Sequence, residues 1–279
     1  MAWKDYNFHF LNTVSQQLVE ELEQLAITVL NTSSLADLDA FQAQIKSSQG
    51  VYLLHLNGNP VYLGKAGNVR ERLAQHLAKL TGRVEGGQPL DLNNIGFKAL
   101  LLDQSMSTAA NEDVLIAFFQ KDHKGLWNNK GFGPKDPGKQ RDTTKPSYFD
   151  KTYPINKAFP VDGVDDRTTI GELFRVMKRT LPFVFRYQSL PRAIADNPLD
   201  LAGVKREAGE LLKAAVALFP PGWHAAMVSF GIVVYKGSKA YWHTAEVVVS
   251  PGSPPPPPPL TEDDVDEPTG ENDSGNEAQ

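Results

Sequence analysis

Three side chains that suit work on a phosphate group stand at ten-residue steps: Tyr52, Tyr62 and Arg72. Arginine offers a permanently charged planar fork that matches phosphate oxygens. A tyrosine hydroxyl can orient a water molecule, or take its proton if nearby positive charge lowers the tyrosine pKa from its usual value of about 10. His76 lies one helical turn after Arg72, and an imidazole is poised for base work near neutral pH. These residue types favour chemistry at a phosphate ester, with either Tyr52 or His76 as the general base.

Two further polar residues, Glu112 and Asn128, have side chains that suit the same chemistry. Glu112 is predicted to lie near the start of a later helix, where one carboxylate can bind Mg²⁺ or Mn²⁺ together with phosphate oxygens and water. Asn128 can hold the geometry of a tyrosine or a phosphate, and the neighbouring Asn129 is an open alternative. Structural roles compete with these, because tyrosines favour strands and a glutamate near a helix start complements the helix dipole.

The elements that must position these residues follow from the hydrophobic spacing. Apolar runs at 51–56 and 61–63 flank Asn57-Gly58-Asn59-Pro60, which predicts two antiparallel strands joined by a tight turn. A third strand is predicted at 97–102 and a second helix at 109–120. Between the hairpin and the third strand, a helix is predicted with Asn68 as its N-cap. One face of this helix is apolar and the other is polar. The apolar face carries Val69, Leu73, Leu77 and Leu80, and the polar face carries Arg72, Gln75, His76 and Lys79.

Three short segments, at 50–52, 61–66 and 68–72, resemble the signature of the GIY-YIG nuclease superfamily, with Val51 and Leu63 in place of its two isoleucines. The resemblance implies an α+β fold in which a small antiparallel or mixed sheet is flanked by helices. The hydrophobic patterns outside this core predict helical and hairpin additions to it. Metal-dependent DNA cutting is the implied activity, with Glu112 as the metal ligand. The implied catalytic set is Tyr52, Tyr62, Arg72, His76, Glu112 and Asn128.

A narrower resemblance is to the GIY-YIG type II restriction endonucleases, which add a histidine one turn after the catalytic arginine, as His76 follows Arg72. The segments at 127–133 and 136–142 look like the same subgroup. This resemblance implies a homodimer that cuts double-stranded DNA at a specific palindromic site with Mg²⁺ or Mn²⁺ and no organic cofactor. A departure is the tight turn between the two tyrosine motifs, where some restriction members carry a long insertion. A repair or homing-type nuclease, and a DNA-binding module without catalysis, are the alternatives.

A basic segment follows the predicted core. Residues 121–151 contain eight Lys or Arg and four Asp, so an ordered loop there would present positive charge to phosphate. A solvated surface is the plainer interpretation of the same charge. Tyr241 and Trp242 can stack on bases, although core packing is favoured for both. The predicted DNA contacts are Lys65, Lys79, Lys130, Lys135, Lys139 and Arg141.

Composition sets broader limits. The formal charge is -5, yet the segment 251–279 carries eight acidic and no basic residues, so residues 1–250 carry about +3. Cysteine is absent, which excludes disulfides and cysteine-ligated zinc modules. The sequence has no apolar segment long enough to span a bilayer and no signal core, so a cytoplasmic protein without membrane contact is predicted.

Four segments are predicted along the chain. Residues 1–48 form a helical extension, and 49–160 form the nuclease core with its basic loop. Residues 161–250 form an α/β addition for DNA recognition or dimerisation, with a helix from 169, a strand at 183–187, a helix at 201–218 and a hairpin around Lys236-Gly237-Ser238. Residues 251–279, with six consecutive prolines and an acidic run, are predicted to be disordered.

Overall fold

The computed structural model describes residues 10–103, 115–117, 119, 125–133 and 139–264. The chain forms two compact units, each assembled from separate segments. Unit 1 comprises residues 1–135, 147–156 and 181–183, and unit 2 comprises 136–146, 157–180 and 184–279. Both are mixed α+β structures with small sheets, as the sequence predicts.

Unit 1 is built on a four-stranded antiparallel sheet in the order β1-β6-β2-β3. The predicted hairpin is present as β2 and β3, with the positive-φ residues Asn57 and Gly58 in its turn. Asn68 caps α3 as predicted, since its side chain accepts a hydrogen bond from the Glu71 backbone N–H. The elements of this unit are α1 (Phe10–Gln24), β1 (Thr28–Val29), α2 (Thr32–Ile45), β2 (Gly50–Leu56), β3 (Asn59–Ala66), α3 (Val69–Thr81), β4 (Val84–Glu85), β5 (Gln88–Pro89), β6 (Ile95–Leu101) and α4 (Tyr148–Thr152).

Helices cover both faces of this sheet. Side chains alternate between the two faces along β2, and every residue of this strand is buried. Tyr52 and Leu54 belong to one core with residues of α2 and α3. Val51 and Leu53 belong to the other core, with residues of α1 and with Leu115, Ile116 and Phe119. The helical extension predicted for 1–48 therefore contributes directly to the core of unit 1, through α1, α2 and the edge strand β1.

Two later segments complete unit 1. Trp127 donates its backbone N–H to the carbonyl of Val61, which places residues 125–133 along the edge of β3. Phe149 and Tyr153 pack into the same core as Trp127 and Phe132. Aromatic side chains thus anchor the described parts of the predicted basic loop in this unit. Burial of these rings is favourable, because it removes apolar surface from water.

Unit 2 contains a four-stranded mixed sheet in the order β12-β10-β11-β8, in which β8 and β11 are parallel. A small pair, β7 and β9, lies outside it. The helix predicted from 169 is present, with Thr169 accepting from the Glu172 backbone N–H. The elements are β7 (Arg167–Thr169), α5 (Ile170–Thr180), β8 (Val184–Tyr187), α6 (Arg192–Ala195), β9 (Pro198–Asp200), α7 (Ala208–Val216), β10 (Trp223–Val228), β11 (Gly231–Lys236) and β12 (Glu246–Val249).

Several predicted elements of unit 2 are wrong in detail. The hairpin turn lies at Ser229-Phe230, not at Lys236-Gly237-Ser238, because β12 pairs with β10 instead of β11. Gly237 has positive φ and its N–H bonds to Gly222, so the chain bends there without forming a hairpin. The helix predicted at 201–218 is confined to α7. Residues 251–264 are described and anchored, since Leu260 bonds to the backbone of Tyr241 and His243, so the predicted disorder is wrong for them.

No helix within the described ranges has both the length and the apolar character needed to cross a membrane.

Candidate active site

Tyr52 and Tyr62 lie on the same face of the hairpin, toward α3, with their ring centroids 6.2 Å apart. Tyr52 is directly opposite Gly64 in the register of β2 and β3. A Cβ added at Gly64 would lie 2.3 Å from the Tyr52 hydroxyl oxygen, so the phenol passes across the bare backbone of this glycine. The glycine of the second tyrosine motif therefore makes room for the tyrosine of the first.

His76 joins the two tyrosines from α3. Its Nε2 lies 2.7 Å from the Tyr52 hydroxyl oxygen, within hydrogen-bond distance. Its ring centroid lies 5.2 Å from that of Tyr62, edge to face, and 4.8 Å from that of Phe132, stacked. His76 is thus buried, and its predicted place on the solvent-facing side of the helix is wrong, because Phe132 covers that side.

The environment of His76 keeps the imidazole uncharged. Burial, with the nearby positive charges of Arg72 and Lys79, lowers the pKa of His76 from 6.5 to about 3. At neutral pH the ring has one N–H and one lone pair, so Nε2 accepts from the phenol when the proton is on Nδ1. A neutral His76 does not supply positive charge that would lower the pKa of Tyr52.

Arg72 and Lys79 are half-buried, whereas the aromatic side chains of the cluster are buried. The Lys79 ammonium donates to the carbonyl oxygens of Gly131 and Gly133, at 3.4 and 3.3 Å, and lies over the rings of Phe132 and Phe149. This lysine therefore braces the segment at 125–133. If Lys79 contacts DNA as predicted, its ammonium must bind a phosphate as well as these two carbonyl oxygens.

Asn128 is buried and bonds to both backbone groups of Leu63. Its Oδ1 accepts from the Leu63 N–H at 3.0 Å, and its Nδ2 donates to the Leu63 carbonyl oxygen at 2.7 Å. The amide thus extends the hydrogen bonding of β3 beyond its edge, one residue from Tyr62. Asn129 is exposed with φ 58°, so of the two asparagines only Asn128 contacts the hairpin that carries the tyrosines.

A buried ion pair that the sequence did not predict lies beside this cluster. Arg83 donates to Asp150 at 3.1 Å and to the carbonyl of Tyr153 at 2.9 Å. Both charged side chains are buried, and burial lowers the pKa of Arg83 to about 10, so it stays charged at neutral pH. The available signal was the density of aromatic residues between 127 and 153, which is typical of a buried segment and not of a solvated basic loop.

The remaining predicted residues are dispersed. Lys65 is half-buried and Lys130 is exposed in unit 1, whereas Arg141 belongs to unit 2, where its guanidinium lies 4.5 Å from the ring centroid of Phe230. Tyr241 and Trp242 are buried, as their predicted core role requires. Glu112, Lys135 and the side chain of Lys139 lie outside the described residues.

The donor set around Tyr52 and His76 bears on the predicted metal. The described polar groups there include two phenols, an imidazole, a guanidinium and an ammonium, whereas Mg²⁺ prefers oxygen anions. Among the residues that the structure describes, no group of three His, Asp or Glu side chains could hold a metal ion. The described residues thus do not form a magnesium shell without Glu112.

Neither a protein-family model nor a curated protein matches this chain. The relationship to GIY-YIG nucleases, and to their restriction members, therefore stays a prediction from the residues quoted above.

Proposed function

We propose that unit 1 is a GIY-YIG-type DNA endonuclease core that hydrolyses phosphodiester bonds in double-stranded DNA. The observation that carries the proposal is the hydrogen bond between Tyr52 and His76, which joins the first tyrosine strand to the helix that bears Arg72. A buried phenol and a neutral imidazole held at 2.7 Å form an oriented polar pair inside an apolar core. Orientation of this kind is what an activated water requires.

In the proposed reaction, each described residue has a limited task. Arg72, which is half-buried, binds the scissile phosphate and stabilises the charge that develops on its oxygens. Tyr52 orients the attacking water through its hydroxyl, and His76 fixes the direction of that hydroxyl. Tyr62 packs against His76, and Asn128 holds the strand that bears Tyr62. Glu112 is the proposed ligand of Mg²⁺ or Mn²⁺, which would supply charge stabilisation at the phosphate and the leaving 3′ oxygen.

The biological role that fits the narrower resemblance is a homodimeric type II restriction endonuclease acting at a palindromic site. Two-fold symmetry is the simplest way to cut both strands of such a site. Unit 2 would then contribute DNA recognition or dimer contacts. A repair or homing-type nuclease uses the same core on a different substrate, so the cleavage products distinguish them.

A second function is favoured by the burial of the cluster. Tyr52, Tyr62 and His76 expose only 1%, 7% and 3% of their surface. Side chains as buried as these serve packing well, which suits a DNA-binding module that has the fold without catalysis. The first experiment separates the functions: purified protein is incubated with plasmid DNA and Mg²⁺. Fixed fragments indicate restriction, structure-dependent nicks indicate repair, and binding without cutting indicates the module.

Arg72→Lys tests the phosphate contact. Lysine keeps the charge but loses the planar fork, so we expect the cutting rate to fall about 100-fold or more. The exposed Arg192→Lys is the matched control and should cut like the wild type. Equal cutting rates for Arg72→Lys and the control would contradict the assignment of Arg72.

Glu112→Ala tests the metal ligand. We expect the variant to lose cutting while it retains DNA binding, because only the carboxylate that holds the cation is removed. Asp39→Ala, at an exposed position of α2, removes a carboxylate elsewhere in unit 1 and should leave cutting unchanged. Normal cutting by Glu112→Ala would exclude this residue as the metal ligand.

A further inference from the structure

Four exposed residues of unit 1 form a surface that the proposed mechanism does not use. Asn129 and Lys130 lie at the tip of a turn, and Tyr148 and Lys151 lie on the outer side of α4. We name this surface the turn–helix patch. Tyr148 exposes 55% of its surface, and the Lys130 Nζ lies 5.2 Å from the centroid of its ring.

The patch is held firmly from beneath. The Phe149 backbone N–H donates to the Lys130 carbonyl oxygen at 2.9 Å, which ties the turn to α4. Gly131 has φ +93°, and a Cβ there would lie within 1.9 Å of the Ser147 Oγ, so the turn approaches the start of α4 as closely as glycine allows. Asp150 fixes α4 through its buried ion pair with Arg83. The exposed side chains thus stand on a rigid support, which a binding surface requires.

The chemistry of the patch suits a nucleic acid strand. An exposed aromatic ring offers a face on which any base can stack, and two neighbouring ammonium groups can bind phosphates. The one carboxylate of α4, Asp150, points inward to Arg83 and does not oppose this charge. Solvent exposure of a large aromatic ring on so well anchored a segment suits recognition better than packing.

A short series of packed aromatic rings connects the support of the patch to the candidate active site. Phe149, adjacent to Tyr148, lies 4.8 Å from Phe132 between centroids, and Phe132 stacks on His76 at 4.8 Å. These rings join the support of the patch to the helix that carries Arg72, and the proposed path of a bound strand runs from Arg72 over the turn that carries Lys130.

We propose that the turn–helix patch binds the DNA strand beside the scissile phosphate, with Tyr148 stacked on an unpaired or unstacked base and with Lys130 and Lys151 on phosphates. The inference rests on the proposed function, because it names a substrate contact of the same site. Tyr148 takes the stacking role that the sequence weighed for Tyr241 and Trp242, which are buried.

The test measures binding of the full-length protein to a fluorescein-labelled single strand of mixed sequence and to its duplex, by fluorescence anisotropy without metal. Tyr148→Ala should weaken binding to the single strand about 5- to 150-fold, the range for loss of one stacked base, and weaken duplex binding less. Tyr148→Phe should bind within about twofold of the wild type, because the ring is kept. Phe41→Ala is the matched control, since Phe41 of α2 is also 50% exposed, and it should bind like the wild type.

Lys130→Ala should lower the slope of log affinity against log salt by about 1, as expected for one lost phosphate contact, whereas Lys46→Ala should leave the slope unchanged. Wild-type affinity of Tyr148→Ala for the single strand would overturn the inference and leave the proposed function intact. An equal loss in Phe41→Ala would overturn it as well. Failure of the wild-type protein to bind either DNA probe would overturn both proposals together.

Discussion

The hydrogen bond between Tyr52 and His76 joins a buried phenol to a buried imidazole in the core of unit 1. A buried imidazolium would lack water and would face the positive charges of Arg72 and Lys79, so the neutral ring is the stable form. Proton removal from water by His76 alone would create that disfavoured cation. The pair is therefore better suited to orient a hydroxyl than to store a proton.

The lowered pKa of His76 predicts a specific loss of stability in mild acid. Its pKa is about 3 in the folded chain and 6.5 in the unfolded chain, so below pH 6.5 only the unfolded chain binds the proton. The free energy of unfolding should then fall as pH drops, by about 1.4 kcal/mol per pH unit from this residue alone. Urea denaturation at pH 7 and pH 5 measures it.

The His76→Gln variant is the control for the wild type, because it lacks the titrating imidazole. Most carboxylates stay ionised at both pH values in both proteins. We expect the wild type to lose about 2 kcal/mol more than His76→Gln between pH 7 and pH 5. Equal losses in the two proteins would show that His76 titrates normally in the folded state.

Sequence spacing predicts which of these residues meet, but not how deeply they are buried. The turn at Asn57-Gly58 fixes the register of the hairpin, so the two tyrosines must share a face. Whether His76 faces water depends on Phe132, which is more than fifty residues away in the chain. No local pattern contains that contact, which is why the polar face predicted for α3 is wrong at His76.

At the scale of elements, the pairing of β2 with β3 depends on the absence of a side chain at Gly64. Gly64→Ala places a Cβ within 2.4 Å of the Tyr52 ring, so the phenol must move and its bond to His76 is disturbed. We expect the free energy of unfolding to fall by about 1–3 kcal/mol. Thermal or urea denaturation measures this change.

Gly67→Ala is the matched control for Gly64→Ala. Gly67 directly follows β3, and an added Cβ there meets no other atom within 4 Å. Its stability should stay within about 0.5 kcal/mol of the wild type. If both alanine variants are equally stable, the close approach of Tyr52 to Gly64 does not constrain the hairpin.

Elements with strong local signals were predictable, and those defined by distant partners were not. The hairpin and α3 follow from a turn sequence and an N-cap. By contrast, β12 pairs with β10 and not with β11, so the turn-forming sequence at Lys236-Gly237-Ser238 does not join two paired strands. The two-residue strands β1, β4 and β5 are too short for any periodicity to indicate them.

For the whole molecule, the distribution of charge predicts an effect on DNA binding. Deletion of residues 265–279 removes five acidic residues and no basic ones, which changes the formal charge from -5 to zero. We expect affinity for non-specific duplex DNA to rise on the order of 10-fold at low salt, because long-range repulsion is reduced. The gain should shrink as salt screens the charges. Anisotropy titrations across salt concentrations measure it.

Substitution of the same five residues by Asn and Gln in the full-length chain is the control. It should reproduce the gain if charge is the cause. An unchanged affinity for both proteins at low salt would contradict an electrostatic effect. The five residues are Asp266, Glu267, Glu271, Asp273 and Glu277.

The division of the molecule into units was less predictable than its elements. The predicted boundary at 160 places the whole of 121–160 with the nuclease core, but residues 136–146 belong to unit 2 and 181–183 belong to unit 1. Composition marks segments along the chain, whereas compact units are defined by contacts between segments. Because the chain passes between the two units more than once, no single change in amino-acid composition along the sequence marks the boundary.

This interleaving has a consequence for synthesis on the ribosome. Unit 1 lacks Phe149 and Asp150 until well after residue 135 has been translated, and it lacks residues 181–183 for longer still. At usual translation speeds the wait between residues 135 and 183 is about 2–10 s. During that interval unit 1 exposes apolar side chains that Phe149 and Tyr153 later cover, so this protein should depend on chaperones more than a domain encoded in one continuous stretch.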